Sequence, residues 1–179
     1  MESTAYSKHS EFVEYLRYLI ANQLPMNASS INENVLTYST FAEASFAYKW
    51  GHSNFIQTKY QMEEFKENLY RYRSDDYELL RTCLAIYEWG GVQRNIGQLN
   101  QIMKNESLGN YLEKIKRELS YVSWDNIEQK INLFSKSPGH LKIDSALTKI
   151  YSLMMPHFII YDGRVGSAWC LLYRLHKLN

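Results

Sequence analysis

Apolar residues recur along this chain at intervals of three and four, the spacing that lines one face of an α-helix. Ser10 is placed to cap a first helix carrying Phe12, Tyr15, Leu16 and Leu19 on one face. Residues 22–40, rich in Asn, Ser and Thr and containing Pro25, read as a loop. Met62, Phe65, Leu69 and Tyr72 then predict a helix. Ser74, Asp75 and Asp76 offer N-caps for the next, with Tyr77, Leu80, Cys83, Leu84 and Tyr87 inward and Trp89-Gly90-Gly91 as its stop. Ile96, Leu99, Ile102 and Met103 mark another helix, and Leu108, Tyr111, Leu112, Ile115 and Leu119 form a strong amphipathic stripe. Trp124, Ile127, Ile131 and Phe134 make one more.

Ser135-Lys136-Ser137-Pro138-Gly139 breaks the pattern. Ile143, Ala146, Leu147, Ile150, Tyr151 and Met154 define a helix that ends before Pro156. Phe158-Ile159-Ile160-Tyr161 is a short apolar extended run, and Asp162 opens a last helix with Val165, Trp169, Leu172 and Leu175 inward. The expectation is an all-α fold of about eight or nine helices with no sheet. It forms a single domain over 1–179, or two helical lobes over about 1–88 and 89–179.

Composition supports a packed core. Apolar residues make up 45% of the chain and charged residues 22%. Only 8 Gly and 3 Pro are present, too few for a turn-rich sandwich or barrel. Tyrosine is abundant, at 15 residues, and suits both a damp core and a binding groove. Two cysteines, Cys83 and Cys170, make no disulfide framework and lack metal-ligand spacing. The start of the chain does not resemble a signal peptide, and no stretch approaches the roughly 18 apolar residues of a membrane span. A cytoplasmic location without membrane contact is the expectation.

The charge is unevenly spread. Residues 1–135 carry 14 Lys and Arg against 17 Asp and Glu, whereas residues 136–179 carry 6 against 2. A basic segment on an acidic body points to an anionic partner such as DNA. Phosphate-loop, nucleophile-elbow and zincin motifs are all absent. His9, His52, His140, His157 and His176 are scattered, so neither a metal nor a cofactor is expected.

The most informative stretch is Ser137 to Leu175. A Ser-Pro-Gly-His-Leu-Lys turn (137–142) leads into a helix, then an apolar run, then Tyr161-Asp162-Gly163-Arg164-Val165 and a helix. This order resembles the helix-hairpin-helix DNA glycosylase superfamily, in particular its divergent relatives similar to 8-oxoguanine glycosylase. The resemblance covers the last quarter of the chain. It implies that Asp162 stabilises positive charge on a sugar during base excision. It also implies that Lys142 is the lysine following the hairpin, a candidate Schiff-base nucleophile. Lys149, Arg164, Tyr161, Trp89 and His140 are candidates for contacting DNA or an extruded base. His140 and Leu141 stand where the family places a second glycine, which weakens phosphate binding by that turn. Each residue also has a plainer reading. Asp162 serves as a helix cap, Lys142 as a solvated lysine, Lys149 as a snorkelling one, and Trp89 as a core anchor before a glycine cap. Three functions stay open at this level: a glycosylase, a catalytically inactive nucleic-acid- or nucleotide-binding relative, and a helical protein–protein module.

Overall fold

The computed structural model describes residues 11–18, 21, 27–29, 35–37, 43, 49–51, 53–123, 126–135, 137, 140–162, 166, 170, 173–174 and 177. These residues are mostly helical. The chain forms two compact units, one of residues 1–60 with 167–179 and the other of Gln61–Gly166. The lobe boundary expected near 88–89 falls at the end of a helix inside the second unit.

In the first unit, residues 11–18 are helical. Phe12 meets Tyr173 edge-on at a 5.3 Å centroid distance. The expected loop over 22–40 contains an antiparallel ribbon, β1 (Asn27–Ser29) with β2 (Val35–Thr37), in which Ala28 pairs with Leu36. A second ribbon joins β3 (Lys49–Trp50) to β4 (Ser53–Asn54). Gly51 in the intervening turn has φ +59°, a region open to glycine. The expectation of no sheet is corrected by these two ribbons. Strands of two or three residues carry too little apolar alternation to register as a pattern.

Helix α1 (Phe55–Arg71) leads into the second unit. It is followed by α2 (Asp76–Trp89), a 3₁₀ turn (Gln93–Asn95), α3 (Ile96–Met103), α4 (Leu108–Glu118), α5 (Ile127–Ile131) and α6 (Leu147–Met154). Of the three candidate caps for α2, Asp75 is the one used. Its carboxylate accepts from the N–H groups of Tyr77 and Glu78, both at 3.1 Å. The far end closes as a Schellman turn. Gly91 N–H donates to Glu88 O at 3.0 Å and Val92 N–H to Tyr87 O at 2.9 Å, with Gly91 at φ +65°.

The core lies where α2, α3, α4 and α6 meet. The stripe predicted for α4 is buried in full: Leu108, Tyr111, Leu112, Ile115 and Leu119. On α2 the buried face is turned from the predicted one. Leu79, Cys83, Ile86 and Tyr87 are buried, whereas Tyr77 is exposed. Ile96, Met103, Ile131 and Ile143 are exposed as well, although each continues an apolar spacing. Each lies at or just beyond an end of its helix, where the inward stripe has already run past the neighbouring elements. Trp124 and the inward face predicted for the last helix (Val165, Trp169, Leu172 and Leu175) lie outside the described residues.

The core holds several weak acids in neutral form. Burial pushes the Cys83 thiol up from its ordinary 9.0 to about 12. Burial also raises Tyr87, Tyr111 and Tyr151, with the charge of Asp144 adding to each. In the unfolded chain these groups ionise at their ordinary values. Above those values the unfolded state binds fewer protons than the folded one, so folding stability falls as pH rises. We expect urea-unfolding free energies to be level up to about pH 8.5. Above about pH 9 they should decline by at least about 1 kcal/mol per pH unit. Cys83→Ala should shallow that decline, and an identical slope in this variant would show that the thiol is not held neutral.

Candidate functional site

The sequence ending in the candidate aspartate is positioned from α6. Asp144 caps this helix, its carboxylate accepting from Ala146 N–H at 2.9 Å and Leu147 N–H at 2.8 Å. Two buried tyrosines hold the residues just before the cap. The Lys142 N–H donates to the Tyr111 hydroxyl at 2.7 Å. The Tyr151 hydroxyl donates to the Lys142 carbonyl at 2.7 Å, and the two hydroxyls lie 3.0 Å apart. With Tyr151 donating to the carbonyl, the Tyr111 proton is available for the Tyr151 oxygen. Every group in this ring is then satisfied in a dry setting.

The Lys142 side chain turns back on the loop before it. Its ammonium donates to the Ser135 carbonyl at 3.0 Å and to the Ser137 carbonyl at 2.6 Å. The residue is buried, so the reading of a solvated lysine is corrected. The same loop is closed by Leu141 N–H on Leu133 O at 2.9 Å and Ser135 N–H on Leu141 O at 3.1 Å. His140, next to the closing residue Leu141, is exposed.

Thr148, the second residue of α6, reaches the segment that follows the helix. Its Oγ1 accepts from Tyr161 N–H at 3.2 Å and lies 3.0 Å from the Tyr161 carbonyl, within donating distance. This pin sets the next residue, Asp162, beside Lys149. The Lys149 Nζ is 3.8 Å from Asp162 Oδ2, and it also donates to the Ser145 carbonyl at 2.9 Å. The two side chains are 3% and 15% exposed. Lys149 is therefore a buried cation facing a carboxylate, which corrects the snorkelling reading. Room for it comes from Gly90. A Cβ at that position would collide with Cδ and Cε of Lys149.

The Asp162 carbonyl accepts from Gly166 N–H at 2.9 Å. The run Phe158–Tyr161 before it is irregular rather than a strand, and Phe158 packs edge-on to Tyr151 at 5.6 Å. Tyr161 is exposed. Trp89 meets Phe65 edge-on at 6.2 Å and is partly buried against the core, the anchor position. Arg164 lies outside the described residues.

No family model, curated protein or solved structure matches the chain.

The site is thus one carboxylate and one amine, 13 positions apart in sequence, brought together in a largely dry setting. Such an arrangement can stabilise a cation or hold an anion next to a fixed positive charge. Thr148, Gly90 and the Tyr111–Tyr151 pair complete it, and spacing alone did not single them out. The one available signal was Thr148 directly preceding Lys149 on a helix whose next residues are apolar. No described helix is long and apolar enough to cross a membrane.

The geometry orders the cost of substitutions. Thr148→Val keeps the shape but strips the Tyr161 backbone of its partner, a loss of about 1–3 kcal/mol. Asp162→Asn leaves the more deeply buried ammonium without its counter-charge and should cost about 2–3 kcal/mol. Lys149→Met strands only the better-hydrated carboxylate and should cost less. Thermal unfolding of the three variants checks this order, and a Lys149→Met variant as unstable as Asp162→Asn contradicts it.

Proposed function

We propose that this chain is a DNA-acting module resembling the helix-hairpin-helix glycosylases, built to cleave or recognise an extruded base. The observation that supports this most is the approach of Lys149 to Asp162 at 3.8 Å. The resemblance assigns a carboxylate to this position, and a lysine accompanies it here.

In this reading the target nucleotide leaves the duplex stack and is seated beside Asp162. Departure of the base builds positive charge on the sugar, which the carboxylate stabilises while it orients a water for attack. Lys149 holds the carboxylate in place and offers an amine next to the reacting carbon. Lys142 takes a positioning role, because its ammonium is already bonded to two loop carbonyls. His140, exposed on that loop, would contact a phosphate backbone in this reading.

One observation favours a second reading, a relative that binds DNA without cleaving it. Lys149 is almost wholly buried and bonded to the Ser145 carbonyl, as a purely structural ion pair would be.

The deciding experiment measures base release from duplexes that carry oxidised, deaminated or alkylated bases, below the unfolding temperature of each variant. The expected result is release by the unsubstituted chain, at least about 100-fold slower in Asp162→Asn. DNA binding should be retained in that variant and should weaken with salt. Borohydride trapping that disappears in Lys149→Met would assign the amine as nucleophile. Release at an unchanged rate in Asp162→Asn removes this residue from the chemistry. Binding without release from any substrate selects the second reading.

A further inference from the structure

A different part of the second unit carries a site that owes nothing to Asp162. Helix α1 ends at Arg71, and the turn that follows it carries Arg73 back towards Tyr70 of the last helical turn. The Arg73 guanidinium lies over the Tyr70 ring, 4.3 Å from its centroid. The contact fixes the ring as a platform although Tyr70 is 67% exposed. The turn that follows is drawn onto the first turn of α4. Gly109 N–H donates to the Asp76 carboxylate at 3.1 Å, and a Cβ on Gly109 would collide with the Arg73 carbonyl.

Beside this close approach lies an open polar depression of about 330 Å³, lined by Tyr70, Arg73, Ser74, Asn110, Glu113 and Lys116. It adjoins a second recess of about 460 Å³ that shares Tyr70, Glu113 and Lys116 and is floored by Leu69, Leu153 and Met154. Among the described residues no carboxylate lies within 4.0 Å of the charged nitrogens of Arg73 or Lys116.

The geometry points to a nucleotide-binding site here, with the base stacked on Tyr70 and its phosphate held by Arg73 and Lys116. A flat ring needs a fixed aromatic face, and a phosphate needs cations not already neutralised. Glu113 lines both recesses, and a carboxylate accepts hydrogen bonds from the exocyclic amino group of a base. The apolar floor suits the part of the ligand that carries no charge. The volume is in the range of small-ligand pockets. The nucleotide is either free or one unit of a single strand, and both present the same base and phosphate.

The test uses the full chain and, in parallel, Asp162→Asn, so that loss of excision chemistry leaves this reading intact. Binding of fluorescein-labelled octadeoxyadenylate is followed by anisotropy from about 50 mM salt upward, with dAMP and inorganic phosphate as competitors. Tyr70→Ala should weaken binding about fivefold or more, and Tyr70→Phe should restore it. Arg73→Ala and Lys116→Ala should each lower the salt slope by about 0.7, whereas Tyr70→Ala should leave it unchanged. All three positions are exposed, and circular dichroism checks that the variants are folded. Competition by dAMP supports the site as one for free nucleotides. Binding of the oligomer alone supports it as one for a strand. Undetectable binding of both overturns the inference, as do unchanged affinities in Tyr70→Ala and Arg73→Ala. Phosphate that competes as well as dAMP also overturns it, since the ring would then play no part.

Discussion

Two tyrosine hydroxyls buried beneath the start of α6 hold the rest of this unit in register. Tyr111 comes from α4 and Tyr151 from α6, and between them they take both backbone groups of Lys142. A peptide group buried without partners costs several kcal/mol, so the segment entering α6 has one favourable placement against α4. The raised pKa values of both tyrosines have the same origin as the clamp. The hydroxyls sit in a dry core, where an ionised phenol would be far less stable than a neutral one. The Tyr87 hydroxyl lies in this core too and has no hydrogen-bond partner among the described residues. The ring is therefore closed within Tyr111, Tyr151 and Lys142 rather than spread through the core.

With the entry to α6 set, its first turns are used twice. Thr148 reaches outward to the Tyr161 backbone and Lys149 reaches to Asp162. A short stretch of helix thereby fixes the whole run from the clamp to the candidate carboxylate. Both lysines of the segment are buried, but they are neutralised differently. Lys142 is solvated by carbonyls of its own loop. Lys149 meets the Ser145 carbonyl and the charge of Asp162. A lysine bonded only to carbonyls does not depend on any other titrating group. A lysine opposed by a carboxylate is coupled to whatever changes that carboxylate, and only such a pair is suited to respond to a charged or cationic reactant.

Much of this architecture was legible beforehand. The α4 stripe read correctly because its apolar residues keep one phase for three turns and its neighbours cover all of it. The cap of α2 read correctly to within one residue, since any of three adjacent side chains supplies the needed oxygen. The face of α2 was read less well. Tyrosine counts as apolar in a periodic pattern, yet Tyr77 stands in solvent while Leu79 and Ile86 are inside. The ribbons at 27–37 and 49–54 were not legible, because their strands are held by backbone bonds that leave little trace in side-chain type. At the site, Asp162 and both lysines were named from the sequence, but their pairing was not. Lys142 stands twenty positions before Asp162 and Lys149 thirteen, and neither interval says which amine faces the carboxylate. That choice is made by Thr148 and Gly90, a hydroxyl and a missing side chain.

The burial of Lys149 bears on how the pair would have to work. An ammonium 3% exposed beside a carboxylate 15% exposed leaves the acid as the more accessible member. A ligand approaching from solvent therefore meets Asp162 first, with Lys149 behind it. For charge stabilisation this order is the useful one, since the carboxylate faces the developing cation and the lysine keeps the acid aligned. For nucleophilic attack the order is unfavourable, because the amine must swing past its own counter-ion and leave the Ser145 carbonyl. Its stem is confined against Gly90, which limits that swing. Within the proposed excision reading, the packing around Lys149 would weight hydrolysis over lyase chemistry, and it would do so through a glycine on α2.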